Sequence, residues 1–258
     1  MAAGDVVLRV DRVSKSFSQH GGEPVLDALS LEVRDGELLA LIGPSGCGKS
    51  TLLHIVAGLS RPTAGTFWTR PGTRAAYVFQ RPRLLPWRNV VRNVEFGLEQ
   101  LPGRTRGQNR ERALSALRLV NLEGHESKYP HQLSGGMQQR AALARGLALD
   151  PGLLLLDEPF GSLDALTRGY LQEELLGIVR RTGTTAVLVT HDIDEALLLA
   201  DRLVVMSSRP GRVKSEIAVP FGEERSMDSV VADPAYGRIR TAVRRLLRPE
   251  VGDLDAAV

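Results

Sequence analysis

The sequence lacks the residues and segments that mark several classes of protein. Cys47 is the only cysteine among 258 residues, which excludes an internal disulfide and fits a reducing, cytoplasmic setting. No apolar run approaches the ~18 residues that a membrane span needs. The first residues, MAAGDVVLRV, lack the basic and apolar regions of a secretory signal peptide. If the chain works at a membrane, we expect a partner to provide the membrane-spanning part.

Lysine is also scarce, with four residues among the 33 Lys and Arg. The net charge of +3 is a mild excess that does not indicate a nucleic-acid partner, and we expect none. Hydrophobic residues, in contrast, make up 43% of the chain, which is enough to bury a sizeable core as one domain.

Strands and helices are predicted to alternate along the chain. Two segments alternate polar and apolar residues, as half-buried antiparallel strands do: 6–17 and 26–33. Three short, nearly continuous apolar runs are typical of buried parallel strands: 37–43, 153–159 and 185–191. Helical segments follow the first of these runs, near Lys49, and the last, at 192–200. This pattern predicts an α/β fold with helices on both faces of a largely parallel sheet.

Residues 88–149 differ, because they are predicted to be helical apart from a Gly- and Arg-rich loop at 102–110. We interpret them as a helical subdomain inserted into the α/β core. The chain is thus predicted to be one domain over 1–258. Its α/β core with an antiparallel β subdomain is predicted to span 1–87 and 150–225, the helical insertion 88–149, and a C-terminal helical tail 226–258.

The stretch GPSGCGKST, residues 43–51, matches G-x-x-x-x-G-K-[ST] between a predicted strand and helix. Its glycines let the backbone wrap around phosphates, and Lys49 supplies a charge to the β- and γ-phosphates. Ser50 is placed to ligate Mg²⁺ and Thr51 to contact the α-phosphate. A simple Gly-rich turn before a helix is the alternative. The strand–loop–helix context favours a nucleotide site made of Gly43, Pro44, Ser45, Gly46, Cys47, Gly48, Lys49, Ser50 and Thr51.

The second motif is LLLLDE, in which two acids end a buried strand, where open α/β sheets place their ligands. Asp157 is predicted to hold Mg²⁺, directly or through water. Glu158 is then available to orient and polarise an attacking water. The two acids also suit an ordinary helix N-terminus, but Pro159 and the leucine run argue against that alternative.

Further polar residues follow predicted strands or the acidic pair. Gln80 is placed to reach Mg²⁺ or the water, and His191 to donate to the γ-phosphate, whereas Asp164 follows the acids in GSLDA. A single Gln or His at a strand end is usually a solvated cap, but their joint arrangement favours function. Phe17 is predicted either to stack on adenine or to lie in the core.

A second anion-binding helix start lies at QLSGGMQQRAALARGL, residues 132–147. Ser134 and two glycines, Gly135 and Gly136, precede good helix formers, so free N–H groups are expected at the positive end of the helix dipole. One nucleotide has a single set of phosphates, and the loop at 43–51 already binds them. The residues alone do not explain the second site.

The order of GPSGCGKST, Gln80, LSGGMQQR, LLLLDEP, SLDA and His191 resembles that of ATP-binding cassette (ABC) ATPases, over roughly residues 6–215. The resemblance implies a P-loop NTPase core, RecA-like, with ATP and Mg²⁺ bound. It also implies a head-to-tail dimer with a second copy, which explains the second helix start. Ser134, Gly135, Gly136 and Gln138 are then expected to act in trans on the partner's ATP, with Asp164 in the dimer loop. Glu158, Gln80 and His191 are the catalytic candidates, and the Mg²⁺ candidates are Ser50, Gln80 and Asp157.

Two longer stretches, 78–99 and 191–213, resemble ATPase subunits of nitrate, aliphatic sulfonate and taurine importers. This implies separate transmembrane permease subunits, an extracytoplasmic solute-binding protein as an indirect partner, and a peripheral position at the cytoplasmic face of the inner membrane. Two alternatives stay open. One is the ATPase of another ABC system, for export or lipoprotein release. The other is a soluble protein that regulates a partner through ATP-driven dimerisation.

An apolar loop and an amphipathic tail have two interpretations each. The loop at 81–90, with Leu84, Leu85, Pro86 and Trp87, either folds into the core or forms an exposed patch, and the family resemblance favours a permease-facing patch. The tail GRIRTAVRRLLRP, 237–249, is expected to be a helix packed on its own domain, and attraction to anionic lipid is the alternative.

Overall fold

The computed structural model describes residues 5–17 and 23–248, and strands alternate with helices along the chain. The strands are β1 (Val6–Lys15), β2 (Leu26–Arg34), β3 (Leu38–Ile42), β4 (Ala64–Thr69), β5 (Ala75–Val78), β6 (Leu153–Asp157), β7 (Ala186–Thr190), β8 (Arg202–Met206) and β9 (Val213–Ala218). The helices are α1 (Lys49–Val56), α2 (Val90–Leu98), α3 (Arg106–Leu119), α4 (Gly135–Leu147), α5 (Ala165–Thr182), α6 (Ile193–Leu199), α7 (Met227–Ala232) and α8 (Pro234–Leu246).

The chain divides into two compact units. Unit 1 is Met1–Arg70 with Val187–Val258, and unit 2 is Pro71–Ala186. The predicted helical subdomain, 88–149, lies within unit 2, together with β5 and β6 of the predicted core. The predicted subdomain boundaries stay a prediction, and 1–4, 18–22 and 249–258 lie outside the described residues.

Unit 1 contains an antiparallel sheet with the strand order β2-β1-β4. Val10, in the central strand, pairs with Leu31 of β2 on one side and with Phe67 of β4 on the other. Buried and exposed residues alternate along β2, because one face of the sheet packs on apolar residues and the other is solvated. This is the antiparallel β subdomain predicted from the period-two pattern.

Unit 1 also contains four strands in the order β7-β3-β8-β9. β3 is buried along its whole length and runs parallel to β8, with Leu39 opposite Arg202, while β9 is antiparallel to β8. Helix α6 packs on β3. These buried strands with packed helices confirm the predicted α/β class.

In unit 2, β5 and β6 pair in parallel, with Val78 opposite Leu156. Helices α2, α3 and α4 pack against one another, and α4 also packs on β5. The predicted loop at 102–110 is too long, since α3 begins at Arg106. Thr105 and Gln108 form a capping box there, which starts the helix inside the Gly- and Arg-rich segment.

The C-terminal helices of unit 1 pack on their own unit, as expected. Helix α8 packs against α6 and α7, and Val243, on its apolar face, is fully buried. Over the described part of the chain, no helix has the length and apolar composition to cross a membrane.

Candidate active site

The phosphate loop, residues 43–51, connects β3 to α1 in unit 1. Gly48 caps α1 with a φ of 99°, in the left-handed region that glycine adopts without strain. A Cβ at Gly48 would lie 2.6 Å from the Leu26 side chain, and one at Gly43 would lie 2.8 Å from the Cys47 sulfur. Space therefore favours glycine at both the first and the last of these positions, and at Gly48 the backbone conformation favours it as well.

Lys49 is buried, and its ammonium donates hydrogen bonds to the carbonyl oxygens of Gly43, at 2.7 Å, and Pro44, at 3.0 Å. The loop backbone thus holds the ammonium within the loop. Cys47 is also buried, and burial raises the pKa of its thiol although Lys49 opposes the shift. The thiol is therefore a small packing group rather than a reactive thiolate.

Helix α1 directs its N-terminus toward the loop, and its first turn contains Ser50 and Thr51, both half-buried. Pro44, Ser45 and Gly46 form the outer part of the loop. A helix N-terminus offers backbone N–H groups and a positive dipole end, which together bind phosphate. The local geometry of unit 1 therefore fits the predicted phosphate cradle.

His191 follows β7, the strand next to β3, and is exposed. Asp192 comes next and caps α6, with its side chain accepting from the backbone N–H groups of Asp194 and Glu195. The imidazole is thus in unit 1, on a tight turn between a buried strand and a capped helix. Its contact with the γ-phosphate stays a prediction.

Phe17 follows β1 and is 68% exposed, so the alternative that places this ring in the core is wrong. The ammonium of Lys15 lies 5.0 Å from the ring centroid. Stacking on adenine remains a prediction.

In unit 2, Asp157 is buried at the end of β6 and accepts a 2.8 Å hydrogen bond from the Tyr77 hydroxyl. Burial and the Asp157 carboxylate both raise the pKa of Tyr77, so the phenol stays protonated as a donor. The sequence motifs do not identify Tyr77, because its place beside Asp157 depends on the pairing of β5 with β6. In that register Tyr77 pairs with Leu155, which shares a strand face with Asp157.

Glu158 follows directly and is half-buried, with a φ of 44°. A non-glycine residue in this left-handed region costs of order 1–3 kcal/mol, and such residues cluster at functional sites. The Gln80 side-chain amide donates to the Glu158 carboxylate at 3.2 Å. A Cβ at Gly161 would lie 3.4 Å from the Gln80 nitrogen. The structure thus brings Gln80 into contact with Glu158, whereas the predicted joint arrangement of Gln80 with His191 stays a prediction.

The signature helix, α4, begins at Gly135 with Ser134 as its cap, which confirms the predicted helix start. Ser134 and Gly135 are exposed, whereas Gly136 is buried, and a Cβ there would lie 2.8 Å from the Thr167 methyl. The Gln138 amide donates to the carbonyl oxygens of Pro130 and Leu133. Gln138 therefore holds the turn before the helix, and any action on a second copy stays a prediction.

Asp164 caps α5, and its carboxylate accepts from the Thr167 backbone N–H at 3.0 Å. That backbone hydrogen bond lowers the pKa of Asp164. A role in a dimer loop stays a prediction, but the capping contact already gives this side chain a function within its own chain.

The loop at 81–90 is ordered by two polar side chains from neighbouring helices. Fully buried Asn93 accepts from the Leu85 N–H and donates to the carbonyls of Leu85, Arg88 and Asn89. Arg145 donates to the carbonyls at 82 and 83. Leu84 and Leu85 are half-buried, whereas Trp87 is 72% exposed. The core interpretation is therefore wrong for Trp87.

Mg²⁺ prefers oxygen donors, keeps several waters and usually binds through one or two carboxylates plus substrate phosphates. No cluster of three His, Cys, Asp or Glu residues suited to a metal occurs within 5–17 and 23–248. The predicted donors are a carboxylate, a hydroxyl and an amide: Asp157, Ser50 and Gln80. These donor types suit Mg²⁺ bound together with nucleotide phosphates, and the binding of one ion by these residues stays a prediction.

Comparison with known proteins gives concordant matches. The family described as ABC transporter matches residues 26–161. A taurine import ATP-binding protein of Yersinia pestis is 48% identical over 234 residues, which are 87% of this chain and 91% of that protein. A nitrate import ATP-binding protein of Synechococcus elongatus is 45% identical over 255 residues, 95% of this chain but 39% of that protein. A solved dimeric ATP-binding cassette in a post-hydrolysis state, bound to ADP and Pi, matches with TM-score 0.73 and 30% identity, over 83% of this chain and 100% of that one.

Proposed function

Because this chain belongs to the ABC transporter family, as an ATPase of the nitrate and taurine importer type, we propose that it hydrolyses ATP to drive uptake of a small anion through a separate permease. Nitrate, an aliphatic sulfonate and taurine are the candidate solutes. One observation carries the hydrolytic part of the proposal. Glu158 ends a buried strand in a strained conformation, with its carboxylate in contact with Gln80.

The residues of the phosphate loop bind the triphosphate. Backbone N–H groups surround the phosphate oxygens, and the Lys49 ammonium exchanges its bonds to the loop carbonyls for bonds to the β- and γ-phosphates. Phe17, exposed at the end of β1, offers its ring to the adenine base. The glycine geometry of the loop supports the phosphate contacts, and the exposure of the Phe17 ring supports the stacking.

Glu158 acts as general base. Its carboxylate accepts a proton from water as the water oxygen bonds to the γ-phosphorus, and the bond from that phosphorus to the β–γ bridging oxygen breaks, giving ADP and phosphate. Gln80 orients the carboxylate and the water, and His191 donates a hydrogen bond to the γ-phosphate. The 3.2 Å contact between Gln80 and Glu158 supports the roles proposed for these two residues.

Asp157, Ser50 and Gln80 are the proposed donors to Mg²⁺, which neutralises charge on the phosphate oxygens when it is bound. Tyr77 orients the Asp157 carboxylate through its 2.8 Å hydrogen bond. Two observations support this assignment: the donors are oxygen-bearing side chains of the kinds that Mg²⁺ prefers, and the Tyr77 hydroxyl fixes the Asp157 carboxylate.

We further propose that two copies of the chain pair head to tail around ATP. The start of the signature helix, with Ser134, Gly135, Gly136 and Gln138, then faces the γ-phosphate bound by the other copy, and Ser134 and Gly135 are exposed. Asp164, which caps α5, is proposed to lie in the dimer loop. A dimeric cassette with ADP and Pi is among the solved relatives, which supports this arrangement. Such an isologous pairing uses both surfaces at once.

The permease is proposed to dock beside the loop at 81–90. Trp87 is the most exposed apolar residue there, on a loop held by Asn93 and Arg145, so the patch is rigid as well as exposed. The chain is then a peripheral subunit at the cytoplasmic face of the inner membrane, and an extracytoplasmic solute-binding protein delivers the solute to the permease. The names of the import relatives support this assembly.

The test is reconstitution of the full chain with a permease that co-purifies with it, in vesicles supplied with ATP. We expect uptake of nitrate, taurine or an aliphatic sulfonate, and no uptake with Glu158→Gln. ATP hydrolysis without uptake of any of these anions would contradict the import proposal and leave the ATPase assignment in place. Failure of the chain to co-purify with any membrane partner would favour the soluble alternative.

A further inference from the structure

Helix α6, which begins two residues after His191, is held at both ends by the segment that follows β9. Helices α7 and α8 of that segment both pack against α6. All of these elements lie in unit 1. The C-terminal segment therefore touches the helix that directly follows His191.

The first turn of α6 is held by a cluster of three side chains. One carboxylate oxygen of Asp194 accepts from the Tyr236 hydroxyl at 2.8 Å and from the Arg240 Nε at 2.7 Å. Its other oxygen accepts from the Arg240 guanidinium at 3.1 Å. Partial burial opposes ionisation, but the hydrogen bonds from Arg240 and Tyr236 prevail and lower the pKa of Asp194. The cluster is thus a charged, bidentate pair completed by a phenol.

The last turn of α6 is held by Arg225. Its guanidinium is buried and donates to the carbonyl oxygens of Leu199, at 2.9 Å, and Ala200, at 2.7 Å. The same guanidinium donates to the Phe221 carbonyl at 3.2 Å. A cation at the C-terminus of a helix also interacts favourably with the helix dipole. Both ends of α6 are therefore fixed by charged contacts from outside the helix.

We call Asp194, Tyr236 and Arg240 the clamp, and hydrogen bonds connect this clamp to the residues on both sides of His191. The Asp192 side chain accepts from the Asp194 N–H at 2.9 Å, and the Asp192 N–H donates to the Thr190 hydroxyl at 3.0 Å. His191 thus lies between two residues that are tied to the first turn of α6 and to the end of β7. Because these hydrogen bonds flank His191 on both sides, a displacement of the first turn of α6 is expected to displace His191 as well.

We propose that Asp194, held by Tyr236 and Arg240, is the positioning residue for His191. The proposal rests on the proposed function, in which His191 contacts the γ-phosphate during hydrolysis. Asp194 touches neither ATP nor the reacting atoms and acts only by fixing the turn that carries the imidazole. The C-terminal helix α8 is in this way part of the hydrolytic machinery, although it contains none of the nucleotide-binding motifs.

The experiment compares the ATPase kinetics of full-length variants. Arg240→Gln removes the bidentate partner, and we expect kcat to fall about 3- to 10-fold, with the KM for ATP within about twofold, because a misplaced group costs rate more than affinity. Arg240→Lys keeps the charge without the planar pair and is expected to recover part of the lost kcat. Arg244→Gln is the matched control, since Arg244 is on the exposed face of α8.

A double-substitution cycle separates positioning from general stabilisation. If Arg240 acts through His191, Arg240→Gln added to His191→Ala lowers kcat no further than His191→Ala alone. An equal fold-loss from Arg240→Gln in the presence and absence of His191 would overturn the proposal, because the effect would then be structural. A kcat for Arg240→Gln equal to that of Arg244→Gln would overturn it as well.

Two further outcomes are distinguishable. Unchanged kcat in His191→Ala would contradict both the proposed function of His191 and the role of the clamp. A lowered kcat in His191→Ala together with a normal kcat in Arg240→Gln would overturn the role of the clamp alone. If Arg240→Gln melts below the assay temperature, Tyr236→Phe tests instead whether the clamp acts through His191. It removes one hydrogen bond and keeps the ring, and it must show a smaller loss of kcat that again disappears in the His191→Ala background.

Discussion

The phosphate loop in unit 1 and the acidic pair in unit 2 are held in place by different means. The loop is stabilised by its own backbone, with glycines where no Cβ fits and with the Lys49 ammonium bound to two loop carbonyls. The acidic pair, in contrast, is held by side chains from another strand and loop, Tyr77 on Asp157 and Gln80 on Glu158. The binding loop is thus held by contacts within its own segment, whereas the acidic pair proposed for catalysis is held by residues that are distant along the chain.

This difference predicts that substitutions in the two regions separate turnover from binding. Glu158→Gln is expected to have the largest effect, a fall in kcat of about 10²- to 10⁴-fold, because the amide cannot accept the proton of the attacking water. ATP binding should persist, and the variant should accumulate as an ATP-bound dimer in size exclusion. Glu123→Gln, at an exposed glutamate, is the control. Near-normal steady-state ATPase in the assembled transporter would reject the role of Glu158.

Lys49→Ala should have the opposite signature. It removes the only side-chain charge of the loop, and hydrogen bonds to charged groups contribute about 1.5–3 kcal/mol, so ATP affinity should fall about 10- to 100-fold. Titration of the full chain with a fluorescent ATP analogue measures this, with Lys128→Ala as the control at a lysine outside the loop. Unchanged affinity would count against the placement of Lys49 on the phosphates.

Trp87→Ala tests a third region, the loop at 81–90, which is part of neither the phosphate loop nor the acidic pair. The ring is 72% exposed, so its removal should leave ATP binding, ATPase of the isolated chain and melting temperature nearly unchanged. Association with the permease should weaken tenfold or more, since a buried interface Trp contributes about 2 kcal/mol or more. Trp68→Ala, at the other exposed tryptophan, is the matched control. Normal transport by Trp87→Ala would contradict the docking surface.

Leu85→Asp is a harsher change at the same loop, and its interpretation depends on stability. Leu85 is half-buried and its backbone is bound by Asn93, so a loss of the permease with an intact melting temperature supports docking. A large drop in melting temperature would instead show that this leucine acts in the core.

Tyr77→Phe should have the smallest effect and sharpens the comparison. The ring stays and only the hydrogen bond to Asp157 is lost, so we expect kcat to fall about two- to tenfold with a higher Mg²⁺ requirement. ATP affinity measured without Mg²⁺ should not change. Tyr170→Phe, at an exposed tyrosine, is the control. An unchanged Mg²⁺ dependence in Tyr77→Phe would show that the phenol does not orient the carboxylate.

The sequence alone was sufficient for the features whose causes are local. The phosphate loop needs glycines at set positions within nine residues, the signature helix needs Ser134 beside its first turn, and the buried strands need consecutive apolar residues. The start of α3 was missed although its cause is local too, since the capping box of Thr105 and Gln108 lies inside a segment rich in Gly and Arg.

Only the tertiary structure decided the contacts between residues that are distant along the chain. Tyr77 meets Asp157 because β5 and β6 pair in one register, and Arg240 meets Asp194 because α8 packs on α6. Whether Trp87 is exposed and whether the Cys47 thiol is buried also depend on which neighbours cover them. Backbone motifs are determined by conformational preference over a few residues, whereas exposure, pairing and pKa are determined by what the fold brings into contact.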